Sequence, residues 1–375
     1  MTFEELYGSR PSVSSQAHGR VNLIGEHTDY NEGFVLPAAL PLRTQIQLAT
    51  RPGREIRAWT TAFPDRPPLT FPLDASVAEG DWADYVRGMV WALRANRMDC
   101  GFDLRIESSL PLGSGLSSSA ALLIAVGRAV REAFALTIDD VQLAVVARTA
   151  ETDFVGAPVG IMDQMACSLA EADNALFIDT RTLEYSKVPL PSETELLVID
   201  SGVRHSHASG DYRVRRDECR QATRMLRVAA LRDVGADDLR AIGALPDPLN
   251  RRARHVVTEN ARVLAALEAL KAGDLAEVGR LFLASHASMR DDFEISVPAV
   301  DALVESTRSM NGVYGARLTG GGFGGAIVAL TRSGSARAIG EAVVAEHNRR
   351  FPNRAAIVVP LQASLALASS ITSNT

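Results

Sequence analysis

The sequence predicts an α+β fold in two lobes, and three observations carry that reading. The chain has 375 residues, enough for two or three domains at about 150 residues each. Extended segments and helix-periodic segments follow one another in mixed order through short connections. The pattern breaks near residues 183–192, where Pro189 and Pro191 stand, so lobes are expected at 1–188 and 189–375. Hydrophobic residues make up 46% and charged residues 22% of the chain. That is ordinary for a globular protein with a real core and excludes a wholly disordered one.

The elements follow in order. Residues 34–50 read as a long strand region carrying Val35, Thr44, Ile46 and Thr50, interrupted by Pro37 and Pro41. Residues 56–61 and 102–108 read as further strands. Residues 82–98 read as a helix, because Trp82, Tyr85, Val86, Met89 and Leu93 recur at helical spacing. A second helix is expected over 117–134. Thr137 followed by Asp140 signals the start of a third, running to about Phe154. Beyond the break, 195–200 reads as a strand and 212–231, 250–272 and 299–310 as helices. Residues 316–319 and 326–330 read as strands joined by glycines, 336–351 as a helix and 355–359 as a last strand.

Charge and composition exclude several classes of function. Net charge is 39 − 45 = −6, so no global basic field suits nucleic acid. No apolar run reaches the roughly 18 residues that a membrane span needs, and Glu4 and Glu5 stand where a signal peptide would carry basic residues. Cys100, Cys167 and Cys219 are odd in number and far apart. They read as reduced thiols, which fits a cytoplasmic location. Lys187 and Lys271 are the only lysines, and neither follows a glycine. There is therefore no Walker A loop and no Val-Ala-Ile-Lys strand of a protein kinase.

Three stretches carry chemistry. Gly19-Arg20-Val21-Asn22-Leu23-Ile24-Gly25-Glu26-His27-Thr28-Asp29-Tyr30-Asn31 crowds polar side chains beside two glycines. Glu26, Asp29 and the His27 ring suit a polyhydroxylated ligand, whose hydroxyls both donate and accept. An exposed polar turn would look similar. Pro111-Leu112-Gly113-Ser114-Gly115-Leu116-Ser117-Ser118-Ser119-Ala120-Ala121 lies between a strand and a helix. Such a loop lets backbone N–H groups and a helix N-terminus converge on a phosphate; the plainer reading is a serine-rich N-cap. Gly315-Ala316-Arg317-Leu318-Thr319-Gly320-Gly321-Gly322-Phe323-Gly324-Gly325-Ala326 contains G-x-G-x-x-G. It runs into a strand where a dinucleotide fingerprint must open a helix, so it reads as a glycine turn supporting a phosphate loop.

Acids complete the set. Glu151 stands late in the third helix, where it opposes the dipole, and Asp163 follows Gly160-Ile161-Met162. A few protein oxygens beside substrate phosphates suit magnesium; a solvated helix end is the alternative for Glu151. His205 and His207 near Cys219 read as solvated histidines, since a third spaced ligand is missing.

At these three stretches the chain resembles the galactokinase family of the GHMP small-molecule kinases. Residues 19–31, with Gly33 and Val35-Leu36-Pro37, are similar to that family's N-terminal signature. Residues 111–121 resemble the superfamily's phosphate loop and 315–325 its third motif. The resemblance implies two lobes of mixed and antiparallel sheets with helices, an active site between them and a last segment returning to the first lobe. It implies transfer of the ATP γ-phosphoryl group to the 1-hydroxyl of α-D-galactose. By position, Arg20 matches an arginine near the reacting hydroxyl, and Asp163 matches the catalytic aspartate. Glu26, His27, Asp29, Gly160 and Tyr212 match sugar contacts. Gly113, Ser114, Gly115, Leu116, Ser117, Ser118 and Ser119 match the nucleotide loop, and Trp82 a residue by the adenine. Ser119 and Glu151 match the ligands of Mg2+. A cytoplasmic monomer is expected, with galactose and ATP as its partners and with neither nucleic acid nor membrane.

The chain departs from the family at His18, where proline is usual before Gly-Arg, and at Ser114, often glycine. Two alternatives stand beside the main reading. One is a 1-kinase for N-acetylgalactosamine or arabinose. The other is a non-catalytic galactose and ATP sensor; the yeast-type sensor lacks a Ser-Ala pair in its loop, present here as Ser119-Ala120.

Overall fold

A computed structural model describes residues 1–94, 98–204, 208–235 and 238–360. In chain order the elements are α1 (Phe3–Tyr7), β1 (Val13–Asn22), β2 (Phe34–Val35), β3 (Pro37–Arg51), β4 (Glu55–Thr60), β5 (Leu69–Pro72), α2 (Asp84–Ala92), β6 (Gly101–Ser108), α3 (Ser118–Ala133), α4 (Asp140–Thr149) and α5 (Met162–Leu169). There follow β7 (Asn174–Asp179), β8 (Tyr185–Pro189), β9 (Thr194–Asp200), α6 (Ala208–Leu226), α7 (Leu239–Gly243), α8 (Leu249–Ala272), α9 (Leu275–Asp291), α10 (Pro298–Arg308), β10 (Val313–Thr319), β11 (Ala326–Arg332), α11 (Ala336–Arg350) and β12 (Ala356–Val359). The chain divides into two compact units that are each discontinuous in sequence. One holds Met1–Arg20, Leu42–Leu112 and Ser117–Ala170; the other holds Val21–Pro41, Gly113–Leu116 and everything from Glu171 on. Compactness thus groups residues 21–41 and 113–116 with the later chain, unlike a single cut at 188/189.

In the first unit, the later part of β3 pairs antiparallel with β6, and β6 pairs parallel with β4, which pairs antiparallel with β5. Leu42, Thr44, Ile46 and Leu48 are buried while Arg43, Gln45 and Gln47 are not, the alternation of a strand with one face on a core. Helices α2, α3, α4 and α5 pack on one another. Ala120, Leu123, Ile124, Val126, Ala129 and Val130 bury α3 nearly all round, as a core helix requires.

Helix α2 starts at Asp84 rather than at 82. The Asp84 carboxylate accepts the Glu79 and Gly80 backbone N–H groups and binds Arg87, which folds the preceding turn. Helix α4 is capped by Asp139 with Gln142 in a reciprocal capping box, two residues on from the expected signal of Thr137 and Asp140. After Thr149 the helix widens into a π turn over Ala150–Phe154, so Glu151 lies in that turn and is buried, not at a solvated helix end.

In the second unit, β10, β11, β9 and β12 form an antiparallel sheet in that order. Residues 326–331 of β11 are buried without alternation, as befits a strand covered on both faces. Leu197, Ile199, Val256, Met289, Leu303 and Ile327 belong to its core, closed by α8, α9, α10 and α11. Strand β7 pairs antiparallel with β2 and β8. Helix α6 begins at Ala208 and ends at Leu226, because Arg227 turns to φ +56°. The expected return of the C-terminal segment falls on residues beyond 360, and the reading of His205 and His207 on 205–207; both lie outside the described residues. Among those described, no helix is long and apolar enough to cross a membrane, and Cys100, Cys167 and Cys219 are free thiols.

Candidate active site

Near the end of β1, the first unit pairs Arg20 with Asp163, 143 residues apart. Arg20 Nε donates to Asp163 Oδ1 at 2.8 Å, and Nη2 lies 2.6 Å from the same oxygen. Arg20 is 4% exposed and Asp163 25%, so the guanidinium is enclosed while the carboxylate keeps an open side. Asp163 stands in the first turn of α5, where the positive helix end favours an acid. Gly160 is buried three residues before it. Trp82, half-buried, sits on the turn that Arg87 holds through Asp81 and Asp84.

Glu151 belongs to the same unit. Its carboxylate accepts from Gln164 Nε2 at 2.7 Å and from the Ser119 hydroxyl. Burial pushes its pKa up to about 7. Ser117, the N-cap position of α3, sits at φ +59° and makes no side-chain cap bond. Its buried Oγ has no hydrogen-bond partner, nor has Gln164 Oε1. A serine-rich N-cap is therefore not what these side chains form. An unsatisfied buried Gln164 Oε1 on the amide that reaches the Glu151 carboxylate, with the Ser119 hydroxyl on the same acid, is a hard oxygen donor set of the kind magnesium takes, completed by waters and phosphate. The residues fit that ion.

The second unit contains the loop residues Gly113, Ser114, Gly115 and Leu116. They rest on the turn between β10 and β11. Gly320 is at φ +86°, and a Cβ there would meet the Gly115 carbonyl oxygen at 2.9 Å; one at Gly325 would lie 3.4 Å from the Ser114 carbonyl. The glycine turn is thus a backbone cradle under the loop, the supporting role read from its sequence.

Residues 21–36 form the other part of this unit's site. His27, at φ +62°, has both ring nitrogens engaged. Nε2 donates to the Gly321 carbonyl at 3.2 Å, so Nδ1 takes the Tyr30 hydroxyl at 2.8 Å. Burial holds its pKa down at about 3, and it is a neutral tether. Its ring packs against Tyr212 at 5.0 Å and Phe293 at 4.8 Å. Asp29 opens a 3-10 turn, half-buried, and its Oδ1 accepts the Tyr30 backbone N–H at 2.9 Å. Glu26, 1% exposed, faces inward. It is bonded to Arg317 through Oε2, and Oε1 accepts the Gly320 N–H at 3.1 Å.

So the fold brings together Arg20 with Asp163, Glu151 with Ser119, and His27 with Tyr212, and it turns Glu26 toward protein groups. Sequence reasoning missed the residues that hold residues 21–36 in place. Glu259 Oε1 accepts the Gly25 N–H at 3.0 Å, and Asn260 Oδ1 accepts the Phe34 N–H at 2.9 Å. Thr180 Oγ1 donates to the Asp29 and Gly33 carbonyls. A signal existed: Arg252, His255 and Glu259 recur on the buried stripe of α8, and a polar group there needs a partner.

The scaffold of mixed helices and sheets is that of the GHMP small-molecule kinases. The family models agree: the GHMP kinases N-terminal domain matches residues 84–171, the GHMP kinases C-terminal model 266–349, and the galactokinase galactose-binding signature 1–50. The chain is 46% identical over 335 residues to a galactokinase of Chloroflexus aurantiacus, covering 88% of this chain and 86% of that one. It superposes on Lactococcus lactis galactokinase complexed with galactose at a TM-score of 0.90, with 32% identity and 95% of each chain covered. Methanococcus jannaschii mevalonate kinase shares the fold, at a TM-score of 0.67 and 18% identity over 94% of this chain and 98% of the other. The chain belongs to the galactokinase family.

Proposed function

We propose that this protein transfers the γ-phosphoryl group of ATP to the 1-hydroxyl of α-D-galactose, giving galactose 1-phosphate and ADP. The observation that carries the reading is the Arg20–Asp163 pair, with the carboxylate held at one oxygen and open at its side. Asp163 takes the proton of the 1-hydroxyl as its oxygen bonds to the γ-phosphorus. The bond from that phosphorus to the β–γ bridging oxygen breaks, and its electron pair leaves with ADP. Arg20 directs the carboxylate and spreads charge at the transferring group; the two lysines are exposed and paired with Glu171 and Glu268. Backbone N–H groups of residues 113–116 cradle the phosphates above the glycine turn. Mg2+, when bound, neutralises phosphate charge; Glu151 and Ser119 would hold it. Asp29 and Tyr212 orient the sugar, His27 seats the Tyr212 ring, and Trp82 stands by the base. The free thiols Cys100, Cys167 and Cys219 support a cytoplasmic location.

ADP release on a panel of galactose, N-acetylgalactosamine, arabinose and glucose tests the substrate. Turnover of galactose above the others is expected; turnover of another sugar alone would replace the substrate. Asp163→Asn should keep the fold and MgADP binding and lose roughly 10²–10⁴-fold in kcat. A variant retaining most of its turnover would overturn the role given to Asp163. The sensor alternative is disfavoured by the intact Ser119-Ala120 pair and by Asp163, and is excluded by any stoichiometric turnover.

A further inference from the structure

Arg317 stands in the glycine motif at the end of β10 and touches no bulk solvent: its side chain is 0% exposed. Nη1 donates to the Leu23 carbonyl at 2.8 Å and to the Asn22 carbonyl at 3.3 Å. Nη2 binds Glu26 and lies 3.5 Å from Glu259 Oε1. Glu259 is in turn held by Arg262 at 2.7 Å, and its Oε1 accepts from the Ser285 hydroxyl at 2.5 Å. One guanidinium and two carboxylates are therefore enclosed together, with the partly exposed Arg262 closing the set. Apolar residues of the same volume would stabilise such an interior as well or better, so stability does not account for the cluster. What apolar residues could not do is grip two successive carbonyls and a carboxylate at once with one planar fork.

Those three points have a common consequence. The carbonyls of Asn22 and Leu23 are where β1 leaves its ladder, and Glu26 is the residue before His27 and three before Asp29. The second Glu26 oxygen takes the Gly320 N–H, while Thr319 Oγ1 donates to the Asn22 carbonyl at 3.0 Å. Arg317 thus ties the start of the sugar motif to the turn that also carries Gly321, the acceptor of His27.

We propose that Arg317 is a positioning residue for sugar recognition: acting through Glu26, it sets the path of residues 22–29 and so the direction of Asp29 and the seat of His27. The inference rests on the galactose reading of this site and extends it to a residue that touches no substrate.

The test combines kinetics, calorimetry and a double-mutant cycle. Arg317→Lys keeps the charge and loses the fork. Its galactose KM should rise by about 10-fold or more, since small displacements of a binding group are costly, with MgADP Kd unchanged. Glu26→Gln and Arg317→Gln should each lower galactose kcat/KM. The double variant, which leaves no lone buried charge and guards against a misfolded single, should be no worse than the poorer single, because residues acting as a unit are not additive. Wild-type galactose KM in Arg317→Lys overturns the proposal. Losses that multiply in the double variant, or MgADP Kd rising in step with galactose KM, do so too. Wild-type protein that binds galactose without turning it over overturns the kinase reading alone; the cycle is then decided on galactose Kd. Wild-type protein that does not bind galactose overturns both.

Discussion

In the proposed function Asp29 is the single side chain given the choice of sugar. Its Oδ1 accepts the Tyr30 N–H at 2.9 Å, which restrains the carboxylate. A hydroxyl of the wrong configuration leaves a charged acceptor without its donor, and that costs more than the ~1–3 kcal/mol of an unsatisfied neutral group. Asp29→Ala should therefore lose galactose turnover and narrow the kcat/KM ratio between galactose and glucose in the same variant. Tyr212 differs, because a ring seated against His27 offers area rather than stereochemical choice. An unchanged ratio in Asp29→Ala would remove the first motif as the specificity element. Glu151 makes a second residue-scale case. Glu151→Gln keeps the shape and removes the charge, so half-maximal activity should need several times more Mg2+. Titrating Mg2+ at fixed ATP measures it, and an unchanged requirement would make Glu151 purely structural.

The hairpin from β10 to β11 acts as one element. Its turn supports residues 113–116 through backbone contact, and at Gly320 the space for a side chain is already taken by the Gly115 carbonyl. Gly320→Ala adds a Cβ at positive φ, a strain of roughly 1–2 kcal/mol, and pushes against the loop. MgADP Kd should rise more than galactose Kd, because the new Cβ meets the Gly115 carbonyl directly whereas Glu26 is reached only through the Gly320 N–H; calorimetry with each ligand alone separates the two. Equal weakening of both ligands would mean that the Cβ displaces the whole turn rather than the loop it supports. This support was legible from sequence, because glycines running into a strand cannot open a dinucleotide helix. The π turn at Glu151 was not, since a helix widening by one residue leaves the apolar spacing of α4 almost unchanged. Helix α9 was overlooked despite its signal: Asp274 accepts the Glu277 N–H, as an N-cap does.

At the scale of the whole molecule, what sequence reasoning could not reach is pairing across distance. Arg20 and Asp163 were legible because each lies in a motif of known role. Arg317 and Glu26 lie 291 residues apart, and neither spacing nor periodicity names one as the partner of the other. The same network predicts a pH dependence of stability. His255 is wholly buried, with Nε2 3.1 Å from the Glu26 carbonyl oxygen and Nδ1 3.0 Å from Ser288 Oγ. Burial lowers its pKa to about 4. A histidine depressed in the folded state binds protons more readily when unfolded, so its contribution is present above pH 6.5 and is lost as pH falls toward 4. Between pH 6.5 and 5 the loss amounts to roughly 2 kcal/mol. Glu151, raised to about 7, runs the opposite way over the same range, so the informative quantity is a difference between proteins. His255→Gln keeps a polar group in the site and removes the titration. Urea unfolding at pH 7.5 and pH 5 should show wild type losing more stability than the variant by about that amount. Parallel losses in the two proteins would show that His255 is already protonated in the folded state at pH 5.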